Sequence, residues 1–224
     1  MANPQSFDQL NMNILKRRSE PYYKYFGDML LTDKQKKNRE RIALIIEEHL
    51  MLFFTLYDAG ANVTTLKQEL TYGLYDLLAD GGFFKSDADL TNYIANTVND
   101  LYQSTADNLF SHPNDYDYTG TTQYWLSKDR AMFIAENEAN TLFNSAEYIE
   151  AVKLGYKSKI WITYGDDRVR PTHVEKDNEE MPIGFYYKVG EAQMLFPKDV
   201  ASDYSTGAEH PEEVISCRCT IRYV

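Results

Sequence analysis

The chain has 224 residues, a formal net charge of -11 at pH 7 and 43% hydrophobic residues. That length lies between one and two ordinary domains and allows a sizeable core to be buried. Proteins that coat a nucleic-acid backbone need an excess of lysine and arginine, so the acidic balance excludes that class. Basic residues interspersed with acidic ones predict only a solvated helix face near the N-terminus: Lys16, Arg17, Arg18, Lys34, Lys36, Lys37, Arg39 and Arg41.

The sequence shows no signal for a membrane or for secretion. It has no run of about 18 apolar residues, and Met1–Leu15 lacks the cationic start and apolar core of a signal peptide. We therefore expect a protein kept in a reducing cytoplasm. In that compartment its two cysteines would be thiols or metal ligands rather than a disulfide.

Apolar residues at helical spacing predict three helices in the first half of the chain. Capping residues and glycines mark their ends. The predicted spans are, in order, Asp33 to near Gly60, Thr64 to Gly81-Gly82, and Ser86-Asp87 to Phe110. The polar, turn-rich stretch 112–120 then predicts an internal boundary.

A fourth helix is predicted from about Thr121 or Thr122 to Leu154, where Gly155 would end it. Beyond it, Lys157–Thr163 and Glu213–Val224 show the alternating pattern of strands. The predicted fold is therefore α+β, with long helices first and a small antiparallel β-rich module last. The predicted parts are a helical region (1–120), a long connecting helix (121–155) and a C-terminal module (156–224).

The only two cysteines, Cys217 and Cys219, stand two residues apart. In a strand both sulfurs would point to one face, with Arg218 on the other. With His173 they would form a ligand set that suits a structural zinc ion. The candidates for a fourth ligand are Asp166, Asp167, His210 or water. The spacing is not that of a zinc finger or ribbon, so a second interpretation stays open, in which the cysteines are small buried hydrophobic residues and His173 is a core or loop histidine.

The loop before His173 has two interpretations. Asp167, Arg168, His173 and the thiols offer a general base and a cation, which would suit a metal-dependent nuclease or hydrolase. Alternatively, Arg168 and Arg170 are structural and bind Asp166 or backbone carbonyls, for which the planar guanidinium is well suited. We favour the structural interpretation and predict no catalytic residues. The other histidines are interpreted as a packing residue (His49) and loop residues (His112 and His210).

Several motifs in the last part of the chain occur in one order. They are Lys159-Ile-Trp161-Ile-Thr163, GDDRVRPTH at Gly165–His173, Gly190-Glu191, MLFPKD at Met194–Asp199 and CRC at Cys217–Cys219. Over residues 125–224 this order and spacing resemble the C-terminal domain of phage head-morphogenesis proteins, the minor head proteins that include the F protein of phage Mu. Residues 1–120 match only as a generic helical region.

The resemblance implies a non-enzymatic minor head (minor capsid) protein that joins the capsid during assembly. It places the protein near the portal vertex, with an influence on DNA packaging or ejection. The expected partners are portal or coat proteins, packaged DNA and other copies of the chain, first in the host cytoplasm and then in the virion. Two alternatives stay open: a metal-dependent nuclease or hydrolase that uses His173, Cys217 and Cys219, and a DNA-associated protein ejected with the genome.

Overall fold

A computed structural model describes residues 32–79, 83–117, 119–199 and 210–224. The predicted α+β fold is confirmed, with helices first and short antiparallel strands last. No helix within these residues is long and apolar enough to cross a membrane. Several sequence predictions concern parts outside this description: residues Lys16, Arg17 and Arg18, the side chains of Lys34, Lys36 and Arg39, and the helix stop at Gly81-Gly82.

Three helices follow the predicted spans closely: α1 (Asp33–Asp58), α2 (Val63–Leu78) and α3 (Asp87–Ser111). At the start of two of these helices, a side chain accepts a hydrogen bond from a backbone N–H group of the first turn. Asn62 Oδ1 accepts from Thr65 N at 2.9 Å, and Ser86 Oγ accepts from Asp89 N at 3.2 Å. Gly60 follows α1 with a φ of 77°, a left-handed conformation that favours glycine.

The long helix α4 runs over Lys128–Leu154 and so begins later than the predicted Thr121 or Thr122. Local side-chain hydrogen bonds explain why α4 begins later than predicted. Asp117 Oδ1 accepts hydrogen bonds from the backbone N–H groups of Thr119, Thr121 and Thr122, and such bonds compete with a helix. A 3₁₀ turn at Tyr124–Leu126 follows, and Ser127 then caps α4. As predicted, Gly155 follows the last turn of α4.

Helix α4 contributes to two clusters of the core. Its small residues Ala131, Ala135 and Ala139 allow close packing against α1. They belong to one core cluster with buried apolar residues of α1–α3, which include Ile46, Leu50, Phe53, Leu66, Leu70, Leu74, Ile94 and Val98. Further along α4, Tyr148 packs against Leu195 and Phe196 of the C-terminal part. One helix therefore supports both halves of the fold.

Two small antiparallel sheets form the C-terminal part. In the first, β1 (Ser158–Ile162) lies between β2 (Glu180–Pro182) and β5 (Thr220–Tyr223), and in the second, β3 (Tyr187–Val189) pairs with β4 (Ala192–Met194). Two single-turn helices, α5 (Pro171–Val174) and α6 (Pro211–Val214), each begin at a proline, where a missing N–H costs nothing. Both cysteines are buried here with Trp161, Tyr187, Val189, Ala192, Met194 and Val214.

The last strand is shorter than the sequence pattern predicts. Instead of covering Glu213–Val224, β5 covers only Thr220–Tyr223. Pro211 starts helix α6, and Ser216 then adopts a φ of 58° in the left-handed region. These two features interrupt the extended chain. Cys217 and Cys219 therefore lie in the irregular approach to β5 and not within a strand.

Candidate metal centre

Three of the predicted site residues meet in the C-terminal core. His173 Nδ1 lies 3.4 Å from Cys219 Sγ and 3.6 Å from Cys217 Sγ. The three ligand atoms all lie within 4.8 Å of one another. Their predicted proximity is therefore confirmed, whereas metal binding itself stays a proposal.

The fold brings these residues together from distant parts of the sequence. Helix α5 carries His173, and the pairing of β5 with β1 brings the cysteine segment alongside Trp161. The indole of Trp161 meets the His173 imidazole edge to face, with ring centroids 5.6 Å apart and an interplanar angle of 79°. His173, Cys217 and Cys219 are only 1%, 3% and 3% exposed. The cluster is therefore enclosed by the core.

Glu213 holds the imidazole in its orientation. Glu213 Oε2 lies 3.0 Å from His173 Nε2 and accepts a hydrogen bond from Thr172 Oγ1 at 2.8 Å. Gly190 leaves room for this carboxylate, because a Cβ at position 190 would overlap Glu213 Oε1. With Nε2 engaged by Glu213, Nδ1 faces the sulfurs. In metal sites, the second ring nitrogen of a ligand histidine is usually held by a carboxylate in this way.

Two asparagines of α4 hold the backbone of the cysteine segment. Asn140 Nδ2 donates to the Cys217 carbonyl at 2.8 Å, and Asn144 Nδ2 donates to the Cys219 carbonyl at 3.2 Å. The two asparagines are four residues apart in a helix, so their side chains share one face. The segment that carries the sulfurs is thereby attached directly to the longest helix of the described chain.

Asn137 on the same helix extends this attachment by one residue. Its Oδ1 accepts hydrogen bonds from Ser216 N at 2.9 Å and from Lys198 Nζ at 2.5 Å. Lys198 Nζ also donates to the Asn137 carbonyl at 2.6 Å. Burial lowers the pKa of Lys198 to about 8. Three asparagines on about two turns of α4 thus contribute polar contacts to one short segment.

The thiols and the imidazole influence one another strongly. Burial opposes the ionisation of Cys217, yet hydrogen bonds from Cys219 and His173 and the charge of the imidazole hold the Cys217 pKa well below its usual range. The pKa of Cys219 is raised well above its usual range by the hydrogen bond to Cys217 and by burial. Burial lowers the pKa of His173, but the hydrogen bond to Cys217 and its charge outweigh burial and raise it. The pKa of each of the three groups therefore depends on its contact with the others.

The donor set fits zinc in chemistry and in spacing. A tetrahedral zinc ion with bonds of about 2.0–2.1 Å to nitrogen and about 2.3 Å to sulfur holds N and S about 3.6 Å apart. The two N–S separations in the cluster, 3.4 and 3.6 Å, agree with that value. In addition, the buried indole of Trp161 interacts with the Cys219 thiol and acts to lower the pKa of that thiol. Its N–H would suit a negatively charged thiolate.

The structure does not place the predicted fourth ligands in the cluster. Asp166 instead accepts two hydrogen bonds from Arg218, at 2.9 and 2.5 Å. Asp167 is exposed, and His210 Nδ1 lies 3.0 Å from Glu212 Oε1. Among the described residues, the cluster therefore consists of His173, Cys217 and Cys219.

The arginines of this region bind within the C-terminal part. Arg170 Nη2 donates to the Ile215 carbonyl, and Arg168 Nε lies 3.3 Å from Asp166 Oδ2. Arg218 makes the more extensive contact. Two of its nitrogens donate hydrogen bonds to Asp166, and its guanidinium lies over the Tyr164 ring at 4.4 Å from the centroid. The contacts of Arg170 and Arg218 support a structural interpretation of the loop, whereas Arg168 is exposed and forms only a surface ion pair.

Sequence reasoning missed Glu213 and the asparagines. The sequence pattern gave no signal for Glu213, because its contact with His173 joins residues 40 positions apart. The spacing of Asn137, Asn140 and Asn144 gave a usable signal, because it places three amides on one face of a predicted helix.

Together, these features define an α+β protein whose C-terminal part is organised around a buried His/Cys/Cys cluster. Among family models, the one described as "Phage Mu protein F like protein" matches residues 93–222, which is more than half of the chain. The chain belongs to the phage Mu protein F like family and is a phage head protein. No curated protein and no solved structure matches the chain.

Proposed function

We propose that the chain is a minor head protein that acts in head morphogenesis near the portal vertex, without enzymatic turnover. The family match over residues 93–222 carries this proposal, because it includes most of α3 together with α4 and the C-terminal part. The partners are the portal and coat proteins of the same phage, and the chain passes from the host cytoplasm into the virion. The net charge of -11 limits any contact with packaged DNA to local patches.

The end of α4 supports a role in protein contacts. Leu154 and Tyr156 are 66% and 42% exposed, and both line a groove of about 290 Å³ together with Glu147, Glu150 and Arg222. A groove with exposed apolar side chains and a charged rim suits a protein partner better than a DNA backbone. A second copy of the chain is one such partner.

We also propose that His173, Cys217 and Cys219 hold a structural zinc ion. When bound, zinc would link α5 to the cysteine segment through covalent-like bonds and so contribute directly to folding. The burial of all three side chains supports this role over a catalytic one, because a substrate needs access to the metal. The residues considered for a nuclease site also differ in burial: Asp167 and Arg168 are exposed, whereas His173 is buried.

A deletion phage complemented with an affinity-tagged chain tests the assembly role. We expect the deletion to leave head-like structures but few infectious particles, and the tagged chain to restore infectivity. Portal or coat protein should co-purify with the tagged chain from infected cells. An unchanged titre after deletion, with neither protein co-purified, would contradict the proposal.

A cleavage assay separates this role from the enzymatic alternative. The purified chain should leave DNA intact in the presence of Mg²⁺, Mn²⁺ or Zn²⁺. Metal-dependent cleavage that disappears in a folded His173→Ala variant would replace the structural assignment with a catalytic one.

A further inference from the structure

We propose that Asn140 and Asn144 of α4 position the two cysteines, and that Glu213 positions His173, so that the protein assembles the metal site before a metal binds. This inference rests on the proposed zinc site, and it concerns what determines the affinity of that site. Asn140, Asn144 and Glu213 touch the ligand residues without being ligands themselves.

The cysteine segment needs an external support. The ladder between β1 and β5 reaches only to Thr220, opposite Ile162, so the carbonyls of Cys217 and Cys219 precede it. The amides of Asn140 and Asn144 donate to these two carbonyls at 2.8 and 3.2 Å. Both amides project from one helix face, so the two cysteine peptides are fixed relative to each other. The cysteine side chains then retain mainly one torsion each.

The burial of Asn140 and Asn144 indicates that their amides serve the contact with the cysteine carbonyls. Asn140 and Asn144 are each 1% exposed, and an amide buried among apolar residues is costly unless it is hydrogen-bonded. Asn140 Oδ1 has no hydrogen-bond partner among the described residues. Of the two polar groups of the Asn140 amide, the NH₂ group is therefore the one that forms a hydrogen bond, and its acceptor is the Cys217 carbonyl. An apolar residue would fill the same position without that cost, but it would leave the Cys217 carbonyl unpaired.

Glu213 acts in the same way on the other side of the cluster. It engages His173 Nε2 at 3.0 Å, and Thr172 Oγ1 fixes the carboxylate from a second direction at 2.8 Å. Gly190 supplies the space, since a Cβ there would overlap Glu213 Oε1. The ring is thereby held with Nδ1 towards the sulfurs. Such carboxylates also strengthen the histidine as a ligand, and their loss typically lowers metal affinity by about 10- to 100-fold.

Zinc affinity of the full-length protein, measured by competition with a chromophoric chelator, tests this inference. Glu213→Gln keeps the shape of the side chain, and we expect zinc affinity to fall by about 10- to 100-fold. Glu212→Gln is the matched control, because Glu212 is the neighbouring exposed carboxylate and should leave the affinity unchanged. Cobalt absorption should still show two thiolate ligands in Glu213→Gln, as expected for a positioning residue.

The asparagines are tested on the metal-free protein as well. Asn140→Leu retains the size of the side chain but loses the donor. We expect weaker zinc binding and at least a several-fold faster reaction of the thiols with a disulfide reagent, at unchanged helix content by circular dichroism. Asn144→Leu is the second variant if Asn140→Leu does not fold.

The outcomes distinguish this inference from the zinc proposal. If the parent protein binds zinc and Glu213→Gln, Asn140→Leu and Asn144→Leu bind it equally well, the inference is wrong and the zinc site stands. If the parent binds no zinc but the asparagine variants expose their thiols, the zinc proposal is wrong and the positioning of the cysteines stands. Equal thiol reactivity in the folded parent and asparagine variants would overturn the positioning role of α4.

Discussion

Lys159 places an amino group inside the C-terminal core. Its Nζ donates to the Leu195 carbonyl at 2.5 Å and lies 5.4 and 5.2 Å from the ring centroids of Tyr148 and Tyr187. The residue has no exposed surface. Burial lowers the Lys159 pKa to about 7, although the nearby charge of Asp199 acts in the opposite direction. The folded protein therefore binds this proton less tightly than the unfolded chain does.

This pKa predicts a pH dependence of stability. Between about pH 7 and pH 10 the unfolded chain keeps the Lys159 proton while the folded protein loses it, so the free energy of unfolding should rise with pH. The contribution of one such group approaches about 1.4 kcal/mol per pH unit. Urea unfolding of the parent and of Lys159→Met, measured across this range, should show a steeper rise in the parent. Parallel profiles would show that Lys159 keeps an ordinary pKa.

Arg218 is predicted to contribute more to stability than Arg168. The side chains of Arg218 and Asp166 are 13% and 27% exposed, whereas that of Arg168 is 45% exposed. Arg218→Lys loses the two-nitrogen contact with Asp166 and should lower the free energy of unfolding by about 1–2 kcal/mol. Arg168→Lys serves as the control and should change it by less than about 0.5 kcal/mol. Chemical denaturation compares the two variants, and an equal effect would contradict the role given to Arg218.

At the scale of elements, α1 and α2 approach closely at one glycine. Gly73 lies within α2, and a Cβ there would overlap Cδ2 of His49 on α1. His49 Nδ1 is 2.8 Å from the Ile45 carbonyl, which fixes the ring in this place. The glycine is therefore explained by packing between helices, despite its cost of about 1 kcal/mol relative to alanine within a helix.

The sign of the change in stability that Gly73→Ala causes tests this contact. In the parent background we expect a loss of about 1–2 kcal/mol, because overpacking exceeds the gain in helix propensity. In a His49→Ala background the same substitution should instead stabilise the protein by up to about 1 kcal/mol. Thermal or urea unfolding of the four proteins in this cycle measures both signs. A stabilising effect in both backgrounds would mean that the helices do not meet at Gly73.

The helices could be predicted better than the strands because their signals are local. Capping residues and the spacing of leucines define α2 and α3 within a few residues of sequence. The stretch Glu213–Val224 has a strand-like composition, but Pro211 and the left-handed Ser216 determine the chain path before Thr220. Composition alone could not show this, because burial of Val214 in the core is compatible with either conformation.

The candidate site could be predicted only in part for a similar reason. His173, Cys217 and Cys219 are recognisable from residue type, since few residues bind zinc well. Glu213 and Asn140 are common residues whose roles depend on contacts between segments 40 and 77 positions apart. Asp166 was named as a candidate ligand but faces Arg218. Residue type therefore indicated the chemistry, whereas tertiary packing determined which residues surround it.

For the whole molecule, zinc binding should be linked to stability. Elemental analysis of protein purified without chelator should find close to one zinc per chain. At a free zinc concentration about 100-fold above Kd, binding contributes about 2.7 kcal/mol to folding. Cys217→Ser should lose the metal and unfold at a lower temperature, while Ser216→Ala should retain both properties. A metal-free parent that is as stable with added zinc as without it would contradict the zinc proposal.

One helix joins the helical region to the C-terminal part. Helix α4 packs in the helical core through Ala135 and in the C-terminal part through Tyr148. It also anchors the cysteine segment through Asn140. The helical core and the C-terminal part are therefore joined by one continuous helix.

A reconstruction of the portal vertex of purified phage heads, together with mass spectrometry of the same particles, tests the central claim most directly. We predict that the chain is present in the heads and that α4 and the C-terminal part can be fitted into density next to the portal. Infectious heads that contain no copy of the chain would contradict its assignment as a structural minor head protein.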